Sequence, residues 1–119
     1  MCLYKTHWFP KIALKPIKCY KVVRTPFSFE KSFYTLYTEK LYNLNEPIEH
    51  SVKSLGLFKR TLEGEVVHAY INYIEALKRK NITCQQVKIV ECVIPRFTIY
   101  WSGILNEIGA RRLIPLKFK

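Results

Sequence analysis

Few side chains in this 119-residue sequence have the type and spacing to do chemistry, and those few are scattered. Its three histidines, His7, His50 and His68, lie far apart. His68 is the one with an informative context. It stands in Glu-Val-Val-His-Ala-Tyr, residues 65–70, ahead of a helix signal. A half-exposed strand histidine is the expected reading, because a metal site needs partners that the sequence does not group around it. The four cysteines, Cys2, Cys19, Cys84 and Cys92, include no C-x-x-C pair. Small buried thiols in a reducing compartment are expected. All nine acids are glutamates and there are only four glycines. That composition makes a metal-dependent phosphoryl-transfer site hard to build. There is no glycine-rich phosphate loop, H-E-x-x-H or G-x-S-x-G. The expectation is no bound metal, no cofactor and no catalysis.

What the sequence does offer is positive charge interleaved with aromatic rings. Twenty Lys and Arg against nine acids give a formal charge of +11. No acid precedes Glu30, whereas Lys5, Lys11, Lys15, Lys18, Lys21 and Arg24 all do. Such an excess attracts nucleic acid, nucleotides or an acidic protein surface. Lys18, Tyr20 and Lys21 form one cluster, and Arg96 to Trp101 another. Rings stack on bases while cations neutralise phosphates. The candidate ligand-binding set is Tyr20, Lys21, His68, Tyr70, Arg96, Tyr100, Arg111 and Arg112. The competing account is a coding bias toward Lys, Ile, Tyr and Asn, with most of the rings in the core.

The elements that must position these residues centre on Val87–Trp101. The half from Val87 to Ile94 is nearly continuously apolar, which predicts a strand covered on both faces. Pro95 ends its ladder, and Phe97 to Trp101 reads as a second extended run. At 49% hydrophobic and 14% aromatic the chain can bury a core, and its length predicts one domain. Residues 1–16 read as an extended arm anchored by Trp8 and Phe9, since Pro10 and Pro16 preclude a long helix. Ile17 to Arg24 reads as a strand with Tyr20 and Val22 on one face and Cys19, Lys21 and Val23 on the other. Phe33 to Thr38 and Glu65 to Tyr70 read as further strands, Glu39 to Glu49 as a loop, and Val52 to Thr61 as strand or helix. Arg112 to Phe118, broken by Pro115, closes the chain. The spacing predicts one helix over about 73–80. Asn72 caps it, Glu75 completes a capping box, Ile74 and Leu77 share a face, and Asn81 forms a left-handed C-terminal residue. Ser102-Gly103 reads as a turn, and Asn106 to Gly109 as a connection. The sum is an α+β fold, five to six strands in a mostly antiparallel or mixed sheet with one helix. No apolar run reaches the ~18–20 residues of a membrane span, and no secretory or myristoylation signal opens the chain, so residence in a cytosol is expected.

Four features resemble a known family. They are Met-Cys-Leu at the start, Pro10-Lys11-Ile12-Ala13 with Ile17 to Val22, Val67-His68-Ala69-Tyr70 with its helix, and Cys92-Val93-Ile94-Pro95 with Tyr100 and Gly103. Together they resemble a family of small uncharacterised proteins of Bacteroidetes bacteriophages and mobile elements. The resemblance covers most of the chain except residues 25–60. It implies a phage or bacterial origin and a cytosolic setting, the host cytosol if phage-encoded, and carries no established activity. The order of the pieces is also distantly similar to ADP-ribosyltransferases. Tyr20-Lys21, His68 to Tyr70, Val93 to Pro95 and Leu113-Ile114-Pro115 would fill that family's places. Here lysine replaces the arginine or histidine that holds the cofactor. Arg111 and Arg112 stand where the catalytic glutamate belongs, and Glu107 is the one acid nearby.

Three functions compete on this reading. The favoured one is a small basic phage-type accessory protein that binds an anionic partner without catalysis. The second is an ADP-ribosyltransferase-like enzyme, or a degenerate relative, using Lys21, His68, Tyr70 and Glu107 around a nicotinamide dinucleotide. The third is a structural or assembly protein that forms homo-oligomers and buries rings such as Trp8 and Trp101 between subunits. A ligand site is expected where Pro95 to Trp101 meets Tyr20-Lys21 and His68 to Tyr70.

Overall fold

The computed structural model describes residues 2–6, 9–25, 31–35, 41–49, 61–63, 67–82 and 87–119. Expectations for Trp8, His7, His50, Cys84 and residues 52–60 lie outside them. The described residues form one α-helix and twelve strands, ten of which belong to a single antiparallel sheet. The five to six strands read from the sequence are therefore too few.

The long members are as expected. Strand β3, Ile17–Arg24, pairs along its whole length with β9, Val87–Ile94. Ile89, Val90, Glu91, Cys92 and Ile94 of β9 are buried, so this strand is covered on both faces. β12, Arg112–Phe118, lies on its other side, with a bulge between Pro115 and Lys117.

The additions are short. Within the expected arm, β1 (Cys2–Tyr4) pairs with β7 (Thr61–Glu63), and β2 (Lys11–Ile12) pairs with β10 (Ile99–Ser102). β4 is Ser32–Thr35 and pairs with β3; the remainder of the strand expected to Thr38 lies outside the described residues. The expected loop over 39–49 instead holds β5 (Leu41–Asn43) and β6 (Ile48–Glu49). β8 is Val67–Tyr70. The expected connection after Asn106 is β11, Glu107–Ala110, paired with both β8 and β10. Strands of two to four residues carry too few positions for alternation to show, so only their pairing reveals them.

The sheet order runs β2-β10-β11-β8-β3-β9-β12-β6. β11 and β12 are four strand spacings apart along it, about 19 Å if the sheet were flat. Yet Arg111 alone separates them in the chain, which allows Ala110 and Arg112 at most about 7 Å. The sheet must therefore curl until its two sides meet. The register agrees. Glu107 is opposite Tyr70, Tyr70 opposite Tyr20, Tyr20 opposite Glu91, and Glu91 opposite Lys117. One row thus leaves the stretch 107–118 and returns to it further along, the stagger of a barrel-like closure.

The main core fills the interior of this curl. It includes Cys19, Val23, Phe33, Ile48, Val67, Ala69, Val90, Cys92, Ile94, Ile108, Ala110 and Leu113. Cys19 and Cys92 are free thiols facing each other across β3 and β9. Burial and a hydrogen bond with Cys19 push the Cys92 thiol well up, which suits an inert core residue.

The helix α1, Tyr73–Ile82, packs on the outer face of β3, β8 and β9. Asn72 caps it, its Oδ1 accepting the Ile74 N–H at 2.9 Å. Glu75 accepts from Lys78 Nζ at 3.4 Å. The helix runs through Asn81, which is not a left-handed terminal residue. Its buried face is Tyr73, Ala76 and Leu77, against Val22, Ile89, Tyr20, Tyr70 and Val87. Ile74, expected on that face, is 58% exposed. Residues 73, 76 and 77 have the spacing of one helical stripe, and a tyrosine takes the place that Ile74 was assigned.

At the far side β1 crosses the outer face, where Leu3 and Trp101 form a small core of their own. Gly103 makes the crossing possible, since a Cβ there would lie 2.6 Å from Leu3 Cδ1 and 3.0 Å from the Tyr4 carbonyl oxygen. Trp101 is fully buried within its own chain, so it is not a ring held out for a subunit contact.

Candidate nucleic-acid interface

The eight residues singled out from the sequence do not share one cleft. They divide among the outer face, the interior and an edge of the curled sheet.

Tyr20, Tyr70 and His68 face outward, beside α1. Tyr20 and Tyr70 are cross-strand partners, and the Tyr20 ring meets Tyr73 edge-on with centroids 5.5 Å apart. Glu91, in the same row, is held by Lys18 Nζ at 3.0 Å and Lys117 Nζ at 3.4 Å while its side chain is only 7% exposed. The hydrogen bond from Lys18 leads in holding the Glu91 carboxyl below the usual range, against burial. Glu107 is opposite Tyr70 at the other end of the row. Burial pushes its carboxyl up, and Arg79 on α1 offsets part of that rise.

Lys21 and Tyr100 turn the other way. β8 pairs with β3 only at Tyr20, and β4 takes over the same edge at Val23 and Arg24. In the gap, Lys21 Nζ donates to the His68 carbonyl oxygen at 2.7 Å. The ammonium thus supplies a hydrogen bond where the ladder is lost, and burial pulls its pKa down. Tyr100 packs against the interior cluster. Neither side chain is presented with Tyr20 or Tyr70, which removes the meeting point expected between Pro95 to Trp101 and Tyr20-Lys21.

Arg96, Arg111 and Arg112 sit where the sheet bends. Three neighbouring segments interrupt their strands at the same level. Residues 13–16 separate β2 from β3, residues 95–98 separate β9 from β10, and Arg111 separates β11 from β12. The interruptions are tied together. Phe97 N–H donates to the Ala13 carbonyl at 2.6 Å, Ala13 N–H to the Thr98 carbonyl at 3.0 Å, and Arg111 N–H to the Ile99 carbonyl at 3.1 Å. Thr98 N–H closes the turn on the Pro95 carbonyl at 3.2 Å. Corners of this kind let a strand pass from one side of a curled sheet to the other. Pro16 and Pro95 suit them because neither has an N–H for a ladder to use.

A corner turns side chains outward. Leu14 is 74% exposed and Phe97 67% exposed, and Lys11, Lys15 and Arg96 are exposed beside them. The Arg96 guanidinium lies 4.6 Å from the Phe97 ring centroid, within cation–π range. Phe97 also has φ of +69°, a left-handed conformation that costs a non-glycine residue roughly 1–2 kcal/mol. Arg112 Nε pairs with Glu49 at 3.1 Å. Among the described residues no carboxylate pairs with Lys11, Lys15 or Arg96.

Sequence reasoning found Arg96, with Phe97 in the same basic and aromatic run, and missed Leu14 and Lys15 as their companions. The available signal was a pair of proline-bearing breaks, Leu14-Lys15-Pro16 and Pro95-Arg96-Phe97. Nothing local says that they lie side by side. Among the described residues no group of His, Cys and Glu is placed to hold a metal ion. No described helix is long and apolar enough to cross a membrane. Compared with protein-family models, curated proteins and solved structures, the chain finds no match.

Proposed function

We propose that this chain is a small basic accessory protein, phage-type in origin and acting in a host cytosol, that binds nucleic acid without catalysis. The observation that carries this reading is the corner, where the segment bearing exposed Lys11 and Lys15 is tied by its backbone to the turn bearing Arg96 and Phe97, and where no acid among the described residues pairs with these cations. Cations held to a carboxylate gain little from a phosphate. Cations without one release counterions when they meet it. Arg112 joins the site by exchanging Glu49 for phosphate, since an exposed pair of this kind is worth only ~0–1 kcal/mol. The test is titration of a labelled oligonucleotide across a salt series. With about four phosphates engaged on a single strand, the logarithm of the binding constant should fall against that of salt with a slope near −3. A flat response, or no binding at about 50 mM salt, rejects the reading.

One observation favours the transferase alternative. Glu107, Tyr70 and Tyr20 follow one another across a single outer face. Lys21, meant to hold the dinucleotide, is instead engaged with the His68 carbonyl inside the sheet. Release of nicotinamide from the dinucleotide by the wild type, lost in Glu107→Gln, would establish the enzyme. The assembly reading has lost Trp101 as an exposed ring, and light scattering tests what is left of it.

A further inference from the structure

The corner presents more than charge. We infer that Phe97 is a stacking platform for an unpaired base, so that the ligand is single-stranded nucleic acid. This rests on the nucleic-acid reading above and narrows it.

Two features of Phe97 run against folding on their own. Its backbone is left-handed, which glycine or asparagine would adopt more readily. Its ring is two-thirds exposed, so little burial offsets that cost. A strained residue persists where its surroundings determine it. Here the pinning is explicit, through the bond from Phe97 N–H to Ala13 and the bonds of Thr98 and Ala13 on either side. The result is an exposed aromatic side chain on a hydrogen-bonded turn, with the Arg96 guanidinium over its ring. One mobile hydrophobic side chain on a basic surface would carry no such implication.

The chemistry that fits is a flat ring linked to a phosphate. A base can stack on the open part of the ring while Arg96 and Lys15 meet its backbone. In a duplex the bases already stack on each other and turn only their edges outward, so the ring gains nothing from them. An acidic protein surface would use the cations and leave Phe97 idle. The ligand that uses both is a single strand, and since stacking needs only a π-face, recognition should tolerate different sequences.

The experiment compares three probes at about 50 mM salt. They are a labelled oligothymidylate of about 15 nucleotides, a duplex of the same length, and inorganic polyphosphate, which has phosphates and no bases. The wild type should hold the single strand about tenfold or more tighter than the duplex. Phe97→Ala should weaken the single strand about 5- to 100-fold, with duplex and polyphosphate affinities unchanged. Phe97→Gly should show the same loss while melting at a higher temperature than the wild type, because glycine relieves the left-handed strain. That result separates lost stacking from a collapsed corner.

Unchanged single-strand affinity in Phe97→Ala, alongside weaker binding in Arg96→Ala, overturns the stacking role and leaves the polyanion reading standing. An equal loss on all three probes also overturns it, since Phe97 would then only hold the cations in place. Equal wild-type affinity for single strand and duplex does the same. No binding to any probe overturns both readings together.

Discussion

The outer face beside α1 and the corner at Pro95–Thr98 are made of the same residue types, tyrosine or phenylalanine with lysine, arginine and isoleucine or leucine. They end in opposite states. Beside α1 the rings of Tyr20 and Tyr73 touch each other, and Lys18 and Lys117 converge on Glu91. Burial draws Glu107 toward its neutral form, and Ile89 is covered by Ala76. At the corner, among the described residues, Phe97 has only Arg96 on its ring, Leu14 is open to solvent, and Lys11 and Lys15 face no paired acid. The difference comes from curvature. A helix laid on a sheet gives each outward side chain a neighbour. A sharp bend fans side chains apart and gives them none. A basic, aromatic composition is thus a packing solution in one place and a contact surface in the other.

The sharpest way to break this comparison is to remove packing from one side and charge from the other. Ile89→Ala opens a cavity under α1 and should cost about 2–4 kcal/mol in urea unfolding. Binding of oligonucleotide to the folded variant should not change. Loss of binding without loss of stability would mean that the outer face, and not the corner, meets the ligand.

Acid should then act on the outer face beside α1, whose two carboxylates are shifted in opposite directions. Glu91 has a folded pKa below its unfolded value of about 4.5. Its contribution to stability is therefore present above pH 4.5 and fades as pH falls through the lower folded value. Thermal melts from pH 7 downward should show the wild type losing stability there more steeply than Glu91→Gln. Glu107 has the opposite sign. Its raised pKa stabilises the folded state below pH 4.5 and withdraws that support as pH rises through the folded value, so Glu107→Gln should melt no lower than the wild type at neutral pH. A large drop would mean that the attraction of the Arg79 charge outweighs its burial.

The smallest effect on stability is expected at the corner. Lys11→Ala and Lys15→Ala should each change stability by no more than about 0.5 kcal/mol. Each should make the salt slope about one unit shallower. A lysine variant that binds as before removes that residue from the interface.

A good part of the fold was legible in the sequence, for reasons that can be stated. Val87–Ile94 is apolar on both sides because α1 covers one face and the interior the other. Along Ile17–Arg24 the pleat sends Cys19 and Val23 to the interior and Tyr20 and Val22 to α1, the division into faces that the sequence shows. Asn72 announces the helix because a cap is a local hydrogen bond. The candidate site was legible residue by residue only. Arg96, Arg111 and Arg112 do gather at the bend, but Tyr100 and Lys21 point inward and Tyr20 and Tyr70 lie elsewhere. Charge and aromaticity say what a side chain can do. They do not say which way a curled sheet will turn it.

By itself the sequence determined the local terms, namely the two long strands, the capped helix, the proline breaks and the surplus of positive charge. Each depends on neighbours a few residues away along the chain. Only the tertiary structure decided that Arg111 is a joint between two sides of one sheet, that Lys21 closes a gap at His68, and that Ala13 fastens the turn bearing Phe97. These are contacts between distant residues, set by how far the sheet curls before its register closes, and no single segment carries that information.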